Sequence, residues 1–214
     1  MRGWLDPLFY GLICVVTLWL ALLWSWTRFN LGRRGKRVKV GFGIATMLLL
    51  FVPIGDLPLW GWAFSFCPNP SLPMLGAITA ALWQYLFGVT VFKPADWRAI
   101  WIFGLATGSV LYLHPIFLGG LDLYYWGWHH PMAIIGLTAL ALSFLAWGNR
   151  FGVLLLAALI AYEVEALESH NCWDYVIDPF YWLVSLGMTV AQVVGWSGNR
   201  RIHTELQKTP IPPN

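Results

Sequence analysis

The sequence predicts an all-α fold: a polytopic bundle of seven transmembrane helices, with the N-terminus outside and the C-terminus inside. Three observations predict it. The 214 residues are 58% hydrophobic and only 11% charged, whereas a soluble domain carries about 25% charged residues. Seven apolar runs approach the roughly 20 residues needed to cross a hydrocarbon core of about 30 Å. With those runs drawn, every Lys and Arg except Arg2 falls on one side, the inner side by the positive-inside rule.

The first span runs from Pro7 to Thr27 and ends in Arg28, Arg33, Arg34, Lys36, Arg37 and Lys39. It is too long for a signal-peptide core, and its basic cluster follows it, so it reads as a retained anchor. The second span, Val40 to Trp62, carries Asp56 near its outer end. The third, Pro73 to Phe92, meets Lys93 and Arg98 inside. The fourth runs from Ala99 to Phe117, and the fifth from Pro131 to Trp147, with Arg150 at its inner end. The sixth runs from Gly152 to Ser169. The seventh, Pro179 to Trp196, ends in Arg200, Arg201 and Lys208. Residues 1–201 form a single domain by this reading, and 202–214 a short cytoplasmic tail.

Helix-start chemistry supports these boundaries. Pro7, Pro73, Pro131 and Pro179 each begin a span that enters from outside, and proline suits a first helical turn. Asp6 and Asp178 precede two of them as natural N-caps, and Asp96 caps the fourth span. Of the 15 tryptophans, Trp60, Trp62, Trp126, Trp128 and Trp173 gather at the outer ends of the spans and Trp24, Trp26, Trp97, Trp101, Trp147 and Trp196 at the inner ends, as two aromatic belts would. Gly104 and Gly108 allow the fourth span a close helix contact.

Chemistry concentrates on the sixth span, GVLLLAALIAYEVEALESHNCWD from Gly152. Glu163, Glu165 and Glu168 on one apolar helix predict a polar cavity open to the outer face, because a carboxylate facing lipid costs about 2–3 kcal/mol or more. Glu163 and His170 share one helical face, and Glu165 and Glu168 another. Glu163, Glu165, Glu168 and His170 are therefore the catalytic candidates. His129, His130, His170 and Asp122 are the candidate metal ligands, although their spacing matches no established motif. Ser169 adjoins His170 in sequence, and neighbours on a helix do not face each other. Cys67 and Cys172 both fall in outer loops and predict a disulfide.

Three functions fit these residues. The first is an accessory or assembly module of a bacterial inner membrane, offering its acidic and histidine-bearing cavity and its aromatic loops to a membrane-protein partner. The second is an enzyme acting on a lipid-linked substrate, with a glutamate as general base or metal ligand. The third is a cation or proton pathway through Glu163. Membrane lipid is a partner in each. The basic residues serve orientation, which argues against nucleic acid. The sequence names no cofactor.

Overall fold

The computed structural model describes residues 36–66, 69–117, 123–129 and 131–208, with a few helical positions between 15 and 22. Helix α1 (Lys36–Leu50) leads into a two-stranded hairpin, β1 (Pro53–Ile54) and β2 (Leu57–Pro58). Then come α2 (Leu59–Phe66), α3 (Leu72–Phe87), α4 (Pro94–Phe117), the single turn α5 (Trp126–His129), α6 (Pro131–Ala146), α7 (Phe151–Glu163), the short α8 (Cys172–Val176) and α9 (Pro179–Lys208).

The prolines and aspartates act locally as their chemistry requires. Asp178 caps α9: its Oδ1 accepts from Tyr181 N–H at 2.8 Å, with Pro179 as the first helical residue. Its Oδ2 accepts from the Ser71 N–H at 2.7 Å and the Ser71 hydroxyl at 2.5 Å. One buried carboxylate thus ties the start of α9 to the start of α3. Asp96 works from inside the first turn of α4, accepting from Lys93 N–H at 2.8 Å as the acidic half of a capping box. It also accepts from Arg150 N–H at 3.1 Å, which fastens the α6–α7 turn to α4.

The core is built on α4, which packs on α9 and α7, and on α7, which packs on α3 and α6. Phe151 is fully buried, with its ring 5.1 Å from that of Phe103 and 5.2 Å from that of Phe144. Helices α4 and α9 approach closely because Gly104 and Gly108 face Tyr181, Trp182 and Ser185, leaving no room for a Cβ. Buried Tyr181 donates to the Ile100 carbonyl at 2.6 Å across that interface.

The seven-span bundle is not what forms: among the described residues, no helix is long and apolar enough to cross a membrane. The expected topology and inner-membrane location fall with it. Apolar runs that look continuous in sequence are broken in the fold. The second breaks at the Gly55-Asp56 turn, where Gly55 (φ 67°) opens the hairpin as a type II′ loop requires. The sixth stops at Glu163 after 13 residues, roughly 20 Å of helix. The third stops at Phe87 after 16 residues. Helices α4 and α9 have the length but, over their described residues, do not meet the apolar requirement along it. Asp96 joins the Lys93 and Arg150 turns at one end of the fold. Trp101, an inner-belt residue by the sequence reading, is instead a core residue stacked 5.6 Å from Trp97.

The expected disulfide is absent too. Cys172 is a free thiol, 1% exposed, packed in the core at the start of α8. Cys67 and Cys14 lie outside the described residues.

Candidate functional site

The C-terminus of α7 builds the site. The Glu165 N–H donates to the Tyr162 carbonyl at 3.0 Å, and the Ala166 N–H donates to the Ala161 carbonyl at 2.9 Å. These two bonds are a Schellman motif. Its left-handed position is usually glycine, yet here it holds Glu165 at φ 51°. The end of α6 provides an internal comparison. There the same pair of bonds, Gly148 to Leu145 at 2.9 Å and Asn149 to Phe144 at 2.8 Å, surrounds Gly148 at φ 69°. A left-handed residue with a Cβ costs about 1–2 kcal/mol. Glu165 is the one described residue other than glycine with positive φ.

The chain beyond Glu165 is stapled in place. The buried Tyr175 hydroxyl accepts from Leu167 N–H at 3.1 Å and lies 3.0 Å from the Ser169 carbonyl. The Ser169 hydroxyl donates to Asp174 Oδ2 at 2.5 Å, while Tyr124 donates to Asp174 Oδ1 at 2.7 Å. Buried Asn171 caps α8 by accepting from Trp173 N–H at 3.0 Å, and its amide donates to the Tyr124 carbonyl at 3.0 Å. The loop is held by hydrogen bonds from α8 and from the Tyr124 turn, so the side chains it presents are positioned before any ligand arrives.

Those side chains line a pocket of about 220 Å³ formed by Trp128, Tyr162, Glu163, Glu165, Ser169 and His170. Glu163 and Glu165 are exposed at its mouth. Trp128 and Tyr162 supply aromatic surface. The last carbonyls of α7 add the negative end of a helix dipole to the two carboxylates. This end of the helix therefore attracts positive charge from two sources. Burial first, and then the neighbouring Cys172, Glu163 and Glu165, raise the Tyr162 phenol above its ordinary value, which keeps it neutral.

Of the catalytic candidates, Glu163, Glu165 and His170 line the pocket, and Glu168 does not. Helical geometry separates Glu163 from Glu165. The structure brings them together because the helix ends between them. Of the candidate metal ligands, His170 lines the pocket. His129 ends α5, and its side chain, with His130 and Asp122, lies outside the described residues. Among the described residues, no three His, Cys, Asp or Glu side chains converge as a metal site would require. Tyr162 was not picked out in the sequence, where Trp128 stands only as one of the interfacial tryptophans and the anchoring Asp174 only as one of several outer polar groups. An aromatic residue near a carboxylate is a weak signal in a chain that is 17% aromatic.

Family models, curated proteins and solved structures contain no match to this chain.

Proposed function

We propose that this protein is a binding module whose pocket at the end of α7 receives an organic cation, either a free ammonium compound or the basic side chain of a partner. The observation that supports this reading most is Glu165. A glutamate occupies a backbone position that favours glycine, and the strain brings a second carboxylate beside Glu163 and an aromatic wall. Carboxylates set against Trp and Tyr faces are the chemistry that recognises ammonium and guanidinium groups, worth about 0.5–2 kcal/mol per aromatic contact.

The enzyme reading has less behind it. The Ser169 hydroxyl is already committed to Asp174, and the other Asp174 oxygen is occupied by Tyr124. That arrangement secures a loop.

Calorimetric titration with tetramethylammonium tests the proposal. Weak saturable binding is expected, falling as salt is added, because exposed charges are screened. Glu163→Gln and Glu165→Gln should each weaken it by about five- to tenfold. Binding that is absent, or indifferent to both substitutions, would reject the proposal.

A further inference from the structure

A second space opens between α4 and α6. Both helices pack on α7, and between them runs a cleft of about 440 Å³. It shares no lining residue with the acidic pocket. Gly127, pressed against Asn171 and Trp173 with no space for a Cβ, stands between the two. The cleft is therefore a separate site, with its own chemistry.

Small residues shape it. Ala106 on α4 and Gly136 on α6 leave room where larger side chains would fill the space. Ala133 and Leu137 lie buried in its lining, while Val110 and Met132 of the same lining are 48% and 61% exposed. A ligand in the cleft removes that apolar surface from water. The Trp173 indole N–H is committed to the Leu123 carbonyl at 3.0 Å, so its ring offers the cleft an apolar face.

Thr107 supplies the one side-chain hydroxyl of the lining. Other helical threonines turn theirs back on their own helix. Thr46, Thr79 and Thr138 donate to the carbonyl four residues earlier, at 3.0, 2.8 and 2.7 Å. Among the described residues, the Thr107 hydroxyl has no hydrogen-bond partner. It is free to donate to, or accept from, a ligand oxygen. Its position matters as well. The α4 side of the cleft runs from Phe103 to Leu111, a rise of about 12 Å, and Thr107 stands halfway along it.

Three properties of the ligand follow. It is neutral, because the lining holds no charged residue to offset a buried charge. It is mostly hydrocarbon. An apolar cavity of about 150 Å³ holds a six-carbon ring, so the cleft has room for roughly ten to fifteen carbon atoms. Its one polar atom lies near the middle, opposite Thr107. We propose that the α4–α6 cleft binds a neutral, mainly aliphatic molecule with a single central oxygen, a dialkyl ketone or secondary alcohol in class, which Thr107 recognises.

Headspace gas chromatography over solutions of the full chain tests this, with dipentyl ketone and undecane as volatile probes and undecanoate as a charged competitor. Both probes should bind saturably, and undecanoate should displace neither. Thr107→Val keeps the shape of the side chain and removes its hydroxyl. It should weaken the ketone by about three- to tenfold and leave undecane unchanged. Gly136→Leu should abolish uptake of both. No neighbouring atom lies within 4 Å of the position its Cβ takes, so the fold should tolerate it, and circular dichroism checks that each variant is folded. Absence of saturable uptake by the parent protein overturns the site, as does uptake that a folded Gly136→Leu leaves intact. Thr107→Val binding the ketone as tightly as the parent overturns the ligand class. Displacement of the ketone by tetramethylammonium or undecanoate overturns the proposal without any variant, since neither ion belongs in an uncharged cleft. None of these outcomes bears on whether the acidic pocket binds tetramethylammonium.

Discussion

Cys172 shows how far a side chain's surroundings govern its chemistry. Burial, and then the Asp174 carboxylate, push its thiol up to about 11. The thiolate is the reactive form, so Cys172 in the folded protein should resist iodoacetamide near pH 8. Site-resolved mass spectrometry should find it modified only after denaturation. Rapid labelling under native conditions would show that the α8 start is not packed as described. The same shift links stability to pH. A thiol whose pKa is higher in the folded state keeps its proton longer there than in the unfolded chain. Stability from this source is complete below the ordinary value of 9.0 and is lost as pH rises through about 11. Tyr181, raised by burial and then by Asp178, acts in the same direction at still higher pH. Denaturant melts should therefore show stability falling from pH 9 upwards, and less steeply in Cys172→Ala.

Among the elements, the α4–α9 pair is held by shape. Gly104 and Gly108 leave α4 a flat face, and a Cβ at Gly108 would lie 2.5 Å from the Trp182 ring. Gly108→Leu must force that ring or the helix aside. Overpacking of this kind costs about 1–3 kcal/mol, to be read as a lower urea midpoint with unchanged m-value. The small-residue spacing was legible in the sequence, but its partner was not. Helix starts were legible for a local reason: Asp178-Pro179 and the Asp96 capping turn act within three residues of themselves. Helix ends were less so. A hairpin interrupts the Val40–Trp62 run, and α7 ends on Glu165, a residue that does not announce a stop as Gly148 does. The acidic cluster stood out because carboxylates are rare here. Its aromatic wall did not, since Trp128 reaches Glu165 only through the fold. The membrane reading failed because apolar runs that are continuous in sequence are broken in the fold, at the Gly55-Asp56 hairpin and at Glu163.

At the scale of the whole molecule, two buried carboxylates act as long-range fasteners. Asp178 joins residues 107 apart in sequence, and Asp96 joins residues 54 apart. Each satisfies two backbone donors, and those of Asp178 are buried. Asp178→Ala should leave the Ser71 N–H and Tyr181 N–H without their carboxylate partner. The cost should be about 2–4 kcal/mol, beyond that of an ordinary cap, because both donors belong to buried residues. Thermal unfolding followed by circular dichroism checks it. A loss no larger than about 1 kcal/mol would show that α3 and α9 are held by packing alone. Asp96 fastens the end where α4 starts, and Asp178 fastens the end it shares with α8 and the loop after Glu165, where the pocket and the cleft are found.

Strain and function meet at Glu165, and one variant separates them. In Glu165→Gly the left-handed position receives the residue it favours, while the pocket loses a carboxylate. Thermal melting and tetramethylammonium titration on that variant test the central claim most directly. The melting temperature should rise by about 2–4 °C, and cation affinity should fall by about five- to tenfold. A variant that gains stability and binds tetramethylammonium as tightly as the parent would contradict the claim that Glu165 is strained in order to hold a cation.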